Sequence, residues 1–138
     1  MKVFIVSDCE LLRVAFTVIL KQAAGIDVVG QCELQSSNLE TQVAQSGCDV
    51  VLLSARASLS LTLAILKDLK ESNPQLLVYF METALDIETA RTMPFDGFVS
   101  ITDNNKQIVE SLQRLYHHRL QQFSPSAGYN SMQIGSSG

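Results

Sequence analysis

The sequence predicts a doubly wound α/β fold, in which a parallel sheet carries helices on both of its faces. Short apolar runs rich in β-branched residues alternate along the chain with longer segments whose apolar residues recur every three or four positions. The first pattern is typical of buried strands and the second of amphipathic helices. Their regular alternation favours a parallel sheet, because parallel neighbours need a long crossover, which is usually a helix.

Five apolar runs are predicted to be strands. Right-handed crossovers between them favour the flavodoxin-like strand order 2-1-3-4-5, which places the first and third strands side by side. In such sheets the functional groups lie at the carboxyl ends of the strands, near the point where the strand order reverses. The predicted strands are Val3–Val6, Ile26–Val29, Val50–Leu53, Leu76–Met81 and Gly97–Ile101.

Five helices are predicted to alternate with these strands. The first begins at Glu10 and ends at Gly25, and the second ends at Gly47, since glycine readily takes the left-handed conformation that closes a helix. The third ends at Asn73-Pro74, and the fourth covers Thr83–Met93. The last begins at a capping Asp103 or Asn104 and runs to about Gln121.

Apolar residues at helical spacing define the predicted inner faces of these helices. They are Leu11, Leu12, Ala15, Val18, Ile19 and Ala23 in the first helix, Leu39 and Val43 in the second, Leu63, Leu66 and Leu69 in the third, and Ile108, Leu112, Leu115 and Tyr116 in the last.

Composition and charge exclude several functional classes. Residues 1–121 are predicted to form one domain, followed by a Ser- and Gly-rich flexible tail or start of an interdomain linker over residues 122–138. The net charge of -4 argues against direct nucleic-acid binding by this segment. No apolar run approaches the roughly 18 residues of a membrane span, and the amino terminus lacks a signal-peptide core, so a cytoplasmic protein without a membrane partner is expected.

The three cysteines are Cys9, Cys32 and Cys48, and they lack metal-ligand spacing. An odd number of cysteines in a reducing compartment is expected to consist of free thiols. No metal site and no cofactor is predicted.

Several segments together resemble the receiver domain of bacterial response regulators: KVFIVSDCELLR, IDVVG, CDVVLLSAR, a helix that ends in ESNP, then LLVYFMETA and DGFVS. The resemblance covers residues 1 to about 121. It is greatest to receivers that precede a helix-turn-helix DNA-binding domain (NarL/FixJ type). It implies the CheY-like receiver fold, a role in two-component signal transduction and, if the natural chain continues, a DNA-binding domain on the C-terminal side.

The resemblance also implies where a phosphorylation site would lie, and the sequence departs from the family there. Family receivers carry an acidic pair after strand one, a phosphoacceptor aspartate after strand three, Thr or Ser after strand four and Lys after strand five. The residues at the matching positions are Ser7, Asp8, Ser54, Glu82 and Ile101. The chain is therefore identified as an atypical receiver, or pseudo-receiver, with a degenerate phosphoacceptor pocket.

These departures predict a chain without phosphotransfer or other enzymatic activity. A serine hydroxyl is a weak nucleophile without a base, one carboxylate offers Mg²⁺ few oxygens, and no fixed cation is expected at the strand ends. Ser54 is expected to hydrogen-bond the adjoining loop, and Ile101 to help close the crevice. Asp8 is interpreted as an acidic residue in a loop or at the amino terminus of a helix, and Glu82 as a glutamate exposed to solvent.

The predicted role is phosphorylation-independent signalling through a protein partner or a homodimer. Family receivers dimerise through a face formed by their fourth helix, fifth strand and fifth helix, which here would include Phe98, Leu112 and Tyr116. Phosphorylation retained at Ser54 or Asp8 is one alternative. Sensing of a small ligand or of the redox state is another, the latter through Cys9 and Cys32. His117 and His118 are adjacent on a helix and are interpreted as part of a solvated face.

Overall fold

The computed structural model describes residues 1–54, 59–82, 92–100 and 104–123. It contains a five-stranded parallel sheet in the order β2-β1-β3-β4-β5, which confirms the predicted topology. The strands are β1 Lys2–Ser7, β2 Asp27–Cys32, β3 Val50–Ser54, β4 Leu77–Glu82 and β5 Gly97–Ser100.

Tertiary pairing extends β2 beyond its predicted end. The prediction stopped at Val29, and the glycine that follows it has low strand propensity. In the structure β2 pairs with β1 as far as the Val6–Cys32 register, after a register shift that leaves Val29 unpaired between the Val3–Val28 and Phe4–Gly30 pairs. This longer strand brings Cys32 to the same edge of the sheet as the end of β1.

Four helices lie within the described residues: α1 Glu10–Lys21, α2 Leu39–Ser46, α3 Leu59–Ser72 and the C-terminal helix Asn105–Phe123. The predicted end of α2 is confirmed, since Gly47 has a φ of 66° and caps the helix. The C-terminal helix begins with a reciprocal cap: Gln107 N–H donates to Asn104 Oδ1 (2.9 Å) and Asn104 N–H donates to Gln107 Oε1 (3.2 Å).

One prediction about the helices needs correction, and another lies mostly outside the described residues. Helix α1 ends at Lys21 rather than at Gly25, which has a φ of 82° and lies in the turn before β2. Most of the predicted fourth helix, residues 83–91, is outside the described residues, and Thr92 and Met93 are not helical. Ile101 and residues 124–138 are also outside them.

The core has two layers, one on each face of the sheet. Helix α1 and the C-terminal helix cover one face, where Phe16, Leu20, Ile108 and Leu112 are buried against the sheet. Helices α2 and α3 cover the other face, where the predicted inward residues Leu39, Val43, Leu66 and Leu69 are buried. Strand β3 is inaccessible along its whole length. The carboxyl ends of the strands are therefore positioned by packing on both faces of the sheet.

The apolar stripe of α1 does not form a single inner face. Phe16 and Leu20 are buried, whereas Leu11 is 77% exposed and Val18 is 52% exposed. The inner face also contains Arg13, which is only 7% exposed. The helix is thus rotated relative to the orientation that its aliphatic residues predict.

Candidate functional site

The carboxyl ends of β1 and β3 bring two serines together. Ser7 and Ser54 are paired in the parallel register of these neighbouring strands, and both are completely buried. This edge is where a doubly wound sheet with this strand order binds its ligands. The buried pair therefore defines the centre of the candidate site, which we call the serine crevice.

The side chain of Ser7 stabilises the loop that follows β1. Its Oγ accepts a hydrogen bond from the Cys9 N–H (3.1 Å), which lies at the amino end of α1. A side-chain oxygen that accepts a backbone N–H two residues later stabilises a turn of this kind. The strand-to-helix connection is thus fixed by a hydroxyl at a position where the family resemblance implies a carboxylate.

The predicted hydrogen bond from Ser54 to its adjoining loop involves residues 55–58, which lie outside the described residues. Ser54 Oγ is buried and has no hydrogen-bond partner among the described residues. Such an unsatisfied hydroxyl costs roughly 1–3 kcal/mol, because it has lost its water without gaining a protein partner. The Ser54 hydroxyl is closed off from solvent, and none of the described residues compensates it.

A cation does lie at this edge, contrary to the prediction that the strand ends have none. Arg13 Nη1 donates a hydrogen bond of 2.6 Å to the Ser7 carbonyl oxygen, and the guanidinium is almost entirely buried. Buried arginine requires such partners, because an uncompensated charge is costly to remove from water. The carbonyl at the end of β1 thus anchors a fixed positive charge beside the serine crevice.

Arg13 could have been found from its spacing. It precedes the buried Phe16 by three positions and Leu20 by seven, which is the spacing of one helix face. The signal is weak, because arginine is far more often exposed than buried. What overrides the preference is the carbonyl of Ser7, whose position is known only from the fold.

The charge of Arg13 also reaches the thiol at the end of β2. Burial raises the pKa of Cys32 above its ordinary value, and the nearby Arg13 partly opposes that rise, while Glu33 adds to it. A raised pKa favours the neutral thiol, which is the less reactive form. All three cysteines are free and half-buried.

Of the other predicted pocket residues, only Asp8 has a described side chain. Asp8 follows Ser7 and is exposed in the loop before α1. The backbone of Glu82 pairs with Ser100 at the end of β4, but its side chain, like the whole of Ile101, lies outside the described residues. Within the described part of the chain, no group of three or more His, Cys, Asp or Glu side chains could hold a metal ion.

The three residues predicted to form an interface do not share one surface. Leu112 is completely buried, so it is not available to a partner of the folded domain. Phe98 contacts the rings of Phe80 and Phe95, with centroids 6.3 and 6.0 Å away. Phe95 packs against the α2 and α3 layer, whereas Leu112 belongs to the layer of α1 and the C-terminal helix. Successive strand side chains point to opposite faces, so the predicted patch is divided by the sheet.

Tyr116 lies at the opposite edge of the sheet from the serine crevice. It lines a groove of about 420 Å³ together with Cys48, Asp49 and Leu120, at the amino ends of β3 and β4. Burial raises the pKa of the Tyr116 phenol, and the nearby Asp49 carboxylate raises it further. This groove is a second concave surface, separate from the carboxyl edge. His117 and His118 are exposed on the same helix, in agreement with their predicted position on a solvated face.

Comparisons with known proteins bear on the fold. No family model and no curated protein matches the sequence. Among solved structures, the receiver domain of a response regulator from Bacteroides fragilis is 23% identical, with a TM-score of 0.67, covering 83% of this chain and 94% of that one. The isolated receiver domain of RcsB from Salmonella enterica serovar Typhimurium is 16% identical, with a TM-score of 0.69, covering 85% and 88% of the two chains.

A third similar structure is a DNA-binding response regulator of the LuxR family from Staphylococcus aureus. It is 15% identical with a TM-score of 0.66, over 83% of this chain and 97% of that one. Among the described residues, none of the helices is both long and apolar enough to cross a membrane. The strand order, the two helical layers and these structural matches agree, and the chain has the CheY-like fold of response regulator receiver domains.

Proposed function

We propose that the chain is an atypical receiver that lacks the phosphoacceptor aspartate and signals through protein contacts without being phosphorylated. The observation that carries the proposal is the serine crevice, in which Ser54 occupies the end of β3 beside Ser7 and both are fully buried. The chain acts as a non-enzymatic interaction module of two-component signalling, in the cytoplasm, with a protein partner or a second copy of itself.

The chemistry of phosphoryl transfer supports this reading of the crevice. A receiver needs a nucleophilic oxygen that a phosphodonor can reach, a divalent cation held by several oxygens, and positive charge near the phosphoryl group. Ser54 Oγ is inaccessible and has no basic partner among the described residues. Asp8 is exposed, and one carboxylate offers a divalent cation few oxygens. These residues provide neither the nucleophile nor the metal site.

Arg13 can hold the connection between β1 and α1 in one conformation without phosphorylation. Its guanidinium joins α1 to the end of β1 through the Ser7 carbonyl, and this contact needs no phosphoryl group. A charged hydrogen bond in a buried setting is worth about 1.5–3 kcal/mol. The strand-to-helix connection is thereby held in one arrangement by residues of the chain itself.

Mass spectrometry of the intact protein tests the absence of phosphorylation. The chain is incubated with acetyl phosphate and Mg²⁺ beside a receiver that has the aspartate. We expect no added phosphoryl group on this chain and partial modification of the positive control. A stoichiometric phosphoryl group would refute the proposal.

Two variants identify the acceptor if a phosphoryl group is added. Ser54→Ala removes the hydroxyl at the end of β3, and Asp8→Asn removes the exposed carboxylate. Loss of the added mass in one variant and not in the other would assign retained phosphorylation to that residue. Loss in neither would place the modification at another residue.

The place of the chain in a larger regulator rests on its structural neighbours. The Staphylococcus aureus protein is described as a DNA-binding response regulator. By analogy, this chain is the regulatory half of a transcriptional regulator whose DNA-binding domain follows residue 138. Direct DNA binding by the chain itself is disfavoured by its net charge of -4.

Ligand sensing is the alternative that a specific observation favours. The groove at Tyr116 has a volume of about 420 Å³, which is within the usual range for small-molecule sites. A ligand that binds only the folded chain would raise its melting temperature. Redox sensing has less support, because burial raises the pKa of both Cys32 and Cys48 and so disfavours the reactive thiolate.

A further inference from the structure

Helix α1 presents an apolar stripe to solvent. Leu11, Val14 and Val18 are 77%, 49% and 52% exposed, and Ala15 beside them is exposed as well. Single exposed apolar residues are common on protein surfaces, but a contiguous group marks an interaction site. We call these four residues the α1 stripe.

Helix geometry places the α1 stripe opposite the buried face. Each residue of a helix is rotated by 100° from the one before it, so Val14 and Val18 lie one turn apart on the same side. Leu11 precedes Val14 by three positions and Val18 by seven, so it lies on that side as well. The buried Phe16 and Leu20 point the opposite way. The α1 stripe thus faces away from the core and has no packing partner among the described residues.

The charges at the two ends of the α1 stripe are opposite. Glu10 and Lys21 are both exposed and are the first and last residues of α1. Lys21 follows Glu10 by eleven positions, which is three turns plus about 20°, so the two residues lie on nearly the same side of the helix, about 16 Å apart along its axis. Val14 and Val18 lie between them along the axis.

This arrangement is complementary to itself in one orientation only. An antiparallel copy of the helix places each Glu10 beside the Lys21 of the other copy, with the Val14 of one near the Val18 of the other. A parallel copy would oppose like charges. A two-fold axis produces the antiparallel contact twice, because the same patch is used by both copies.

We infer that the α1 stripe is the contact surface of an antiparallel homodimer formed by a two-fold axis across the middle of α1. The inference rests on the proposed function, since it names the surface through which a phosphorylation-independent module makes its protein contact. It replaces the interface predicted around Leu112, which is buried.

The contact is small and therefore weak. A standard interface buries about 800 Å² on each partner, and one helix face buries less. Association also has to offset the lost freedom of two molecules. We expect a dissociation constant on the order of tens to hundreds of micromolar, which a C-terminal output domain or high local concentration would strengthen.

Sedimentation velocity between 5 and 500 µM tests the pairing. The weight-average mass should rise from 15.2 kDa toward twice that value with increasing concentration. Val18→Asp should keep the chain monomeric at all concentrations. Leu120→Asp is the matched control, because Leu120 is 47% exposed and lies on the C-terminal helix rather than on α1. It should dimerise like the original chain.

Charge exchange tests the antiparallel orientation. Lys21→Glu and Glu10→Lys should each weaken association about tenfold, since each creates repulsion at two symmetric places. The double exchange should restore the original affinity to within about threefold. Because each exchange opposes the helix dipole, circular dichroism melting curves must show that every variant is folded at the measuring temperature.

Three results would overturn the inference. They are a monomeric original chain at 500 µM, a Val18→Asp variant that still dimerises, and a folded double exchange that fails to restore association. None of these results depends on phosphorylation. A monomeric chain that also gains no mass from acetyl phosphate would refute the helix pairing and leave the proposed function intact.

Discussion

Replacement of Ser54 by alanine should stabilise the protein, although the residue lies in the most buried strand. Its Oγ has no hydrogen-bond partner among the described residues and no access to water. Removing an unsatisfied buried hydroxyl recovers part of a desolvation cost of roughly 1–3 kcal/mol. The space left by one oxygen atom offsets some of this gain. We expect the free energy of unfolding to rise by about 1 kcal/mol.

Ser7→Ala is the matched control for this experiment, since the two serines are neighbours in register and equally buried. Its hydroxyl accepts the Cys9 N–H, so its removal should lower the free energy of unfolding by about 0.5–1.5 kcal/mol. Urea unfolding followed by circular dichroism measures both changes. For a domain of this size a gain of 1 kcal/mol raises the melting temperature by roughly 3–5 °C. If Ser54→Ala destabilised the protein as much as Ser7→Ala, the hydroxyl would have a partner, and the reasoning would be refuted.

Three further predictions follow from the charged groups. Arg13→Met should lower the free energy of unfolding by roughly 2 kcal/mol in urea titrations, because it breaks the charged hydrogen bond to the Ser7 carbonyl; an unchanged midpoint would contradict this. The same variant should raise the pKa of Cys32 further, since Arg13 opposes its rise, and thiol labelling as a function of pH measures the shift. Asp96→Ala should cost about 1–2 kcal/mol in the same titrations, because the carboxylate accepts both Lys70 Nζ (2.6 Å) and the Val78 N–H (2.8 Å), and an unchanged midpoint would contradict this.

The pH dependence of stability has a defined sign in the alkaline range. Burial raises the pKa values of Cys32, Cys48 and Tyr116 in the folded state. The folded protein therefore holds these protons more tightly than the unfolded chain does. The free energy of unfolding should fall as pH rises past the ordinary pKa of each group. Denaturation midpoints between pH 7 and 10.5 would show this decline, and an increase would contradict the burial of these groups.

The sheet could be predicted from the sequence because its signals are local. The apolar runs of β1, β3 and β4 are short and sharply bounded, and the helices between them are long enough to be crossovers. The alternation of strands with helices and the right-handed crossovers between strands then favour one common strand order. The end of β2 at Cys32 could not be predicted, since Gly30 and Gln31 join the strand only through their pairing with β1.

The rotation of α1 was not predictable from its composition. The aliphatic residues at helical spacing favour a face that includes Leu11 and Val18, whereas the buried face contains Phe16, Leu20 and Arg13. The expectation that arginine faces water selects the wrong face. Arg13 points inward because the Ser7 carbonyl accepts its hydrogen bond, and that contact depends on the position of β1. The same rotation leaves Leu11 and Val18 exposed.

The candidate site was predicted in position but not in detail. The rule that functional groups lie at carboxyl strand ends located Ser7 and Ser54, and the structure places them side by side. Their different hydrogen bonding was not predictable, because both are serines at the ends of buried strands. The fixed cation of Arg13 was missed, since its spacing competes with the strong preference of arginine for the surface.

Binding of beryllofluoride with Mg²⁺, followed by ¹⁹F NMR, tests the central claim most directly. This phosphoryl analogue binds only where a carboxylate, a metal site and positive charge surround an open pocket. We predict no bound fluorine resonance at millimolar concentrations and no change in the backbone amide signals of Ser7 and Ser54. Bound resonances together with shifts of those two amides would show an open, charged phosphoryl site and contradict the account.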